Sequence, residues 1–289
     1  MDRTNRRRKS KKSFVKKFDM KDIAAATKYT KRLVRDNIKS AEKENRFNDD
    51  VQPVDWEGMQ KVTEDFVFVS KNPFKILWSY VARFIAMAVA KLLCFFGMGS
   101  ARIVGTENLK GLKGAVIVCN HVHIFDSFFV RAATFGHRLY ITVAEFNNMK
   151  GFLGALLRGA GCLPFSDCFS AMKRLSKTVG ALLEKGNFVL FYPEKAMWPR
   201  YEKPRPYSEG AFHAAAQNKV PVVPTFILFK EPSSLRKKFS DKKVAEFHVL
   251  KPIYPREDLG NKANTEYLLN AAYNAVCNFY KENSDSITD

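Results

Sequence analysis

From residue 101 onwards, short apolar runs alternate with segments of helical periodicity, and this alternation restricts the possible folds more than any other feature of the chain. Strands are expected near 115–119, 139–144, 187–192, 221–229 and 244–250, and helices near 127–135, 150–159, 170–185, 208–217 and 264–282. The runs are short, rich in β-branched and aromatic residues, and bounded by turn-forming residues, as in buried strands. Strands separated by helices give an α/β fold with a mixed, mainly parallel sheet flanked by helices.

Three of the runs meet loops that carry chemistry. Ala115-Val116-Ile117-Val118-Cys119 ends in Asn120-His121-Val122-His123-Ile124-Phe125-Asp126. Phe188-Val189-Leu190-Phe191-Tyr192 ends in Pro193-Glu194-Lys195, and Val220-Pro221-Val222-Val223-Pro224 leads into Thr225 to Phe229. Loops gathered at one rim of a sheet are where α/β folds place their sites. Asp126 follows His121 by five residues, a turn and a half, so the two would not face each other on a regular helix. A loop that folds back at a helix N-terminus brings them together as a general base and the carboxylate that fixes its tautomer. Taken alone, the pair reads equally well as a loop histidine satisfied by backbone groups. His123, two residues on, is expected to serve the loop or pocket wall, and His137, His213 and His248 lie outside these runs.

At 289 residues with 46% hydrophobic content, the chain can fill one large domain with appendages. Its formal charge of +19 favours a polyanionic neighbour, either nucleic acid or an anionic membrane. No helix-turn-helix, zinc or aromatic RNA-binding motif is present, so nucleic acid is not expected. The five cysteines have no Cys-x-x-Cys spacing, which argues against a zinc site or disulfide framework and for thiols in a reducing compartment. The catalytic part is therefore expected on the cytoplasmic face of a membrane. Oligomeric state is left open.

The chain divides into a basic polar extension (1–72), an apolar segment (73–100) and a catalytic domain (101–289). Residues 1–17 form a basic arm expected to be disordered on its own, and residues 20–47 read as a charged helix. Residues 74–98 are long enough to span a bilayer. Lys75, Ser79, Arg83 and Lys91 fall at multiples of four, so on a helix they form one drifting stripe. A spanning helix would hold two of these cations in hydrocarbon, at about 2.5–3.5 kcal/mol for a charge at the centre. An amphipathic helix lying in the membrane interface lets them reach headgroups instead. A core helix packed on the sheet is the plain alternative.

The ordered set Asn120-His121-(four residues)-Asp126, Tyr192-Pro193-Glu194 and Val220-Pro221-Val222-Val223-Pro224 resembles blocks one, three and four of the glycerolipid acyltransferases, the family of 1-acylglycerol-3-phosphate acyltransferase. The second block resembles Glu145 with Gly151 to Arg158, followed by Gly161-Cys162-Leu163-Pro164. The resemblance covers about residues 74 to 255. It implies acyl transfer from acyl-CoA or acyl carrier protein to a lysophospholipid hydroxyl, most simply 1-acylglycerol-3-phosphate, with no cofactor beyond the thioester co-substrate and no metal. On this resemblance His121 is the general base, Asp126 its orienting partner and Glu194 an acceptor-binding residue, with Glu145 and Arg158 on the substrate side. Membrane lipids are the implied partners.

Two departures bear on the acceptor. Where the family continues glycine, threonine, arginine, this chain has Lys195, Ala196 and Met197, and Ser166-Asp167-Cys168 stands where an arginine commonly closes block two. Lys195 and Arg200, with Lys203 and Arg205 behind them, are the nearest replacement cations for a phosphate. They also read as a solvated basic face. Another lysolipid as acceptor, or a basic membrane-binding protein without catalysis, are the competing readings. A hydrolase reading lacks a Gly-x-Ser-x-Gly elbow.

Overall fold

The structure, a computed structural model, describes residues 20–52, 59–94, 102–232 and 243–284. The basic arm 1–17 and the end of the apolar segment, residues 95–98, lie outside the described residues. The chain begins with α1 (Met20–Lys43) and α2 (Pro73–Leu92). Then follow β1 (Arg102–Val104), β2 (Ala115–Cys119), α3 (Asp126–Ala133), β3 (Leu139–Val143), α4 (Gly151–Gly159) and β4 (Cys162–Pro164). The rest is α5 (Phe169–Glu184), β5 (Phe188–Phe191), α6 (Gly210–Gln217), β6 (Val222–Lys230), β7 (Val244–Val249) and α7 (Asn261–Asn283).

The strands form one seven-stranded sheet in the order β1-β7-β6-β2-β5-β3-β4. The β6–β7 pair is antiparallel and every other pairing is parallel. Alternation along β2 explains the layers. Val116 and Val118 join Leu175, Val179, Phe212, Ala215 and Leu268 from α5, α6 and α7 on one face. Ile117 and Cys119 join Phe129 and Val130 from α3 on the other. Successive strand residues point to opposite faces, so a strand covered on both sides reads as an unbroken apolar run. Because neighbours are parallel, the chain leaves β2, β5, β3 and β4 at the same rim, which collects the loops described below.

The N-terminal extension is not separate from this body. Val34, Ala41 and Val51 are buried with Ala196 and Trp198 of the loop after β5. Further on, Gln60 and Asn148 exchange bonds: the Gln60 N–H donates to the Asn148 carbonyl at 2.7 Å, and Asn148 Nδ2 to the Gln60 carbonyl at 2.6 Å.

Helix α2 starts at Pro73, capped by Asn72 Oδ1, which accepts from the N–H groups of Phe74 at 2.9 Å and Lys75 at 3.4 Å. Among the described residues it is the one helix long and apolar enough to cross a membrane. At Ser79 and Arg83 its orientation departs from the expectation that the polar stripe meets headgroups, while Lys75 and Lys91 stay exposed. Arg83 donates to the Leu139 carbonyl at 2.5 Å and lies 4.3 Å above the Tyr140 ring. Ser79 Oγ accepts from Arg138 at 3.0 Å, and Lys91 sits 4.2 Å over Phe135. The stripe is the docking face because carbonyls at the end of the sheet and aromatic faces offer partners there. Phe74 and Phe84, 81% and 75% exposed, lie on the outward side with Leu77, Val81 and Leu92.

Trp78 Nε1 donates to the Ala155 carbonyl at 3.0 Å, and α2 approaches α4 so closely that a Cβ at Gly159 would meet Ala82 Cβ at 2.8 Å and Trp78 Nε1 at 2.9 Å. Gly159→Val is therefore expected to loosen this contact at a cost of about 1–3 kcal/mol. Amide exchange across 73–92 should accelerate in the variant while exchange in β2 and β5 holds. Unchanged protection in α2 counts against this packing.

Candidate active site

The loop after β2 is built around two buried polar side chains. Asn120, 1% exposed, reaches across to β6, which runs past the end of β2. Its Nδ2 donates to the Ile227 carbonyl at 3.0 Å and its Oδ1 accepts from the Ile227 N–H at 2.8 Å. The amide thus continues the ladder by one residue, so the chain turns at His121. Asp126 opens α3, and its Oδ2 accepts from His121 Nδ1 at 2.9 Å, the Val122 N–H at 2.8 Å and the His123 N–H at 3.0 Å. The Asp126 N–H returns a bond to the His123 carbonyl at 3.0 Å. Three donors thus converge on one oxygen at the N-terminus of α3.

The structure brings His121 and Asp126 together. A carboxylate only accepts, so the proton lies on His121 Nδ1 and the lone pair on Nε2, the atom a substrate can reach. The imidazole stacks on Tyr192 with centroids 4.0 Å apart and planes 18° apart. Burial holds the Tyr192 phenol well above its ordinary value, so the stacking partner stays neutral. His123 turns into the loop, its Nδ1 accepting from the Phe125 N–H at 3.1 Å. Burial, with some help from Arg200, pushes its pKa below the ordinary histidine value.

The loop after β5 runs beside this turn. The Trp198 N–H donates to the His121 carbonyl at 2.9 Å and the Arg200 N–H to the Val122 carbonyl at 2.8 Å. Glu194, expected to bind the acceptor, sits beneath the loop instead. It is 1% exposed, and its oxygens accept from the His121 N–H at 3.2 Å, the Arg205 N–H at 3.1 Å and Arg205 Nη2 at 2.7 Å. Burial pushes the Glu194 carboxyl up although the guanidinium opposes it, and burial lowers Arg205. With every contact made inside the protein, Glu194 has no face for a substrate.

The remaining candidates are divided. Arg158 braces the start of its own helix, donating to Asn148 Oδ1 at 2.9 Å and the Met149 carbonyl at 2.8 Å. It is a helix brace rather than a substrate contact. Glu145 Oε1 accepts from the Val62 N–H at 2.7 Å and lines a cleft of about 610 Å³ beyond β3 and β4, with Lys61, Ser166 and Asp167. Lys195 and Arg200 are both exposed, and the Arg200 guanidinium lies 4.9 Å over the Phe229 ring. Both residues adopt left-handed backbone, with φ of 64° and 59°. Among the described residues no three His, Cys, Asp or Glu side chains converge as metal ligands.

Sequence reasoning treated Asn120 as a marker and weighed Arg205 only as one cation of a basic face. Nothing in the local pattern Pro204-Arg205-Pro206 signals a fully buried guanidinium.

The left-handed backbone at Lys195 yields a test. A non-glycine residue there stores about 1–3 kcal/mol, whereas glycine adopts it freely but loses more chain entropy on folding. Lys195→Gly should raise stability by about 0.5–1 kcal/mol in urea unfolding. A loss of stability instead means that the Lys195 side chain makes a contact of that size.

In comparisons with known proteins, the family model described as Acyltransferase matches residues 100–228. No curated protein sequence matches the chain. Similar solved structures include a crystal structure titled as the 1-acyl-sn-glycerophosphate (LPA) acyltransferase PlsC from Thermotoga maritima. That match has 16% sequence identity and a TM-score of 0.49, and it covers 72% of this chain and 84% of that one.

Proposed function

We propose that the chain, whose residues 100–228 match the Acyltransferase family model, is a glycerolipid acyltransferase that moves a fatty acyl group from acyl-CoA or acyl carrier protein to the hydroxyl of a lysophospholipid, most simply 1-acylglycerol-3-phosphate. The observation that carries the reading is the 2.9 Å contact between His121 Nδ1 and Asp126 Oδ2 at a rim with exposed cations beside it. An alcohol attacks a thioester slowly until a base takes its proton during attack. His121 Nε2 accepts that proton as the oxygen bonds to the carbonyl carbon. The tetrahedral adduct then collapses, the carbon–sulfur bond breaks, and the imidazolium returns the proton to the departing thiolate. Asp126 stabilises the transient cation and holds the ring. A well-placed base of this kind gives about 10²–10⁴-fold.

The rim also favours a lipid acceptor. The loops after β2, β3 and β4 expose Ile124, Phe152, Leu153 and Phe169, and Phe152 touches Trp78 of α2 with ring centroids 5.9 Å apart. Phe152 and Leu153 of α4 with the outward face of α2 make an apolar surface that a bilayer would cover. The basic arm would add attraction to anionic headgroups. Facing the cytoplasm is the orientation we favour, since all five thiols are free.

Two measurements test the reading. His121→Ala should abolish transfer of a radiolabelled acyl thioester to lysolipids in a protein that keeps its fold, and Asp126→Asn should cut it severely. Normal turnover by folded His121→Ala refutes the mechanism. Vesicle flotation checks the surface: Phe74→Asp with Phe84→Asp should weaken binding to anionic vesicles without lowering stability. Equal binding by wild type and variant assigns that face to another partner.

Met197 stands where the family keeps an arginine, which favours a second reading in which another lysolipid is the acceptor. Replacing both Lys195 and Arg200 with alanine decides between them. A rise in KM for lysophosphatidic acid much larger than for acyl-CoA supports the phosphate monoester. Equal small effects favour a different headgroup.

A further inference from the structure

Arg205 is the most completely enclosed cation described, at 0% exposure, and no substrate can reach it. Its two Nη groups are taken up by protein acceptors. Nη1 donates to the Phe47 carbonyl at 2.9 Å, and Nη2 to Glu194 Oε2 at 2.7 Å, to the Ala196 carbonyl at 2.6 Å and, more weakly, to the His121 carbonyl at 3.4 Å. The Trp198 ring lies 4.6 Å away beneath it, and Trp198 Nε1 donates to the Asp49 carbonyl at 2.9 Å. Glu194, held by this guanidinium, takes the His121 N–H. The His121 N–H therefore ends on Glu194, its carbonyl takes the Arg205 guanidinium alongside the closer Trp198 N–H, and the Glu194–Arg205 pair is closed from outside by residues 47–49 of the N-terminal segment.

We infer that Arg205 is a positioning residue for His121: through its own reach to the His121 carbonyl and through Glu194 on the His121 amide, it fixes the base relative to Asp126 and to the incoming hydroxyl. The inference rests on the acyl-transfer reading above and deepens it. A buried ion pair is a poor source of stability, since well-packed apolar replacements often serve as well. What it supplies here is direction. Asp126 orients the ring of His121 and holds the N–H groups of Val122 and His123, but the N–H and carbonyl of His121 itself are held from the other side, and a misplacement of about 1 Å at a reacting group can lower a rate by about 10²-fold. Lysine cannot substitute, because an ammonium is a point charge without the planar fork that reaches several acceptors at once. The same enclosure removes Arg205 from the cations available to an acceptor phosphate.

The test uses full-length Arg205→Lys and Glu194→Gln, with folding followed by near-ultraviolet circular dichroism. Three quantities are read: kcat, KM for donor and acceptor, and the downfield imidazole N–H proton resonance of the His121–Asp126 hydrogen bond. Folded Arg205→Lys should lose at least tenfold in kcat, keep both KM values within threefold, and lose the downfield resonance to exchange. Glu194→Gln should move the same way by a smaller factor. Wild-type kcat with an intact resonance in folded Arg205→Lys overturns the inference, as does a tenfold rise in acceptor KM at unchanged kcat, which would make Arg205 a substrate contact. If Arg205→Lys does not fold, the same outcomes in Glu194→Gln decide. The resonance needs no substrate, so it reads the clamp even if wild type transfers no acyl group and the acyl-transfer reading fails.

Discussion

One carboxylate oxygen, Asp126 Oδ2, gathers the loop after β2. It draws together the His121 ring and the N–H groups of Val122 and His123, so three consecutive residues depend on a side chain with no exposed surface. A charge so enclosed is tolerable only if several donors face it. The parallel sheet supplies those donors indirectly. Because β2 is covered on both faces, its chain must leave at the rim, and the Asn120 amide completes the ladder with β6 before the turn begins. The loop then has backbone N–H groups left over, and the start of α3 places a carboxylate where they point. The ring of His121 is fixed as a by-product of satisfying the backbone.

The second buried charge, Glu194, answers the same demand from the opposite side. Its disagreement with the acceptor-binding role is physical rather than incidental: a carboxylate would repel a phosphate, and here it faces N–H groups and a guanidinium instead. The cations that remain solvent-facing near the turn, Lys195 and Arg200, sit on left-handed backbone in the same loop. Strain of this kind persists where the surroundings over-determine the chain. At Arg200 the backbone bond to Val122 does so, and it ties the loop after β5 to the turn that carries His121.

Much of the fold was legible because buried parallel strands write themselves as unbroken apolar runs. The five expected strands and the helices between them are present within one to three residues of their expected limits. The two three-residue strands, β1 and β4, carried too little pattern to register, and each pairs at an edge of the sheet where neighbours rather than propensity define it. The antiparallel β6–β7 pair likewise follows from how the chain returns and not from composition. For the site, the sequence offered residue types and order but not depth. Whether a glutamate faces solvent or a guanidinium is decided by chain brought from far away: Phe47 and Asp49 close over Arg205 and Trp198 across about 150 residues. No local window contains that information. Arg158 misled for the opposite reason, since its acceptors lie on its own helix start, where an arginine in the last turn of a short helix can fold back.

The orientation of α2 shows why amphipathic patterning must be read with its partner in view. A soluble helix turns its apolar stripe inward. Here the polar stripe turns inward because Arg83 and Ser79 find the Leu139 carbonyl, the Tyr140 face and Arg138, while small residues, Ala82 against Gly159, allow the close approach. The aromatic side is left outward, continuous with Phe152 on α4. Water would penalise that arrangement, whereas a bilayer reverses the sign of the same area term. The loop after β2 also exposes Ile124, between His121 and Asp126. A hydroxyl on a lipid held in the membrane plane would then approach the imidazole along the surface, without leaving the lipid phase. On the proposed reading, the inverted helix and the exposed turn after β2 serve one requirement, that the apolar surface of the protein be the part that meets the membrane.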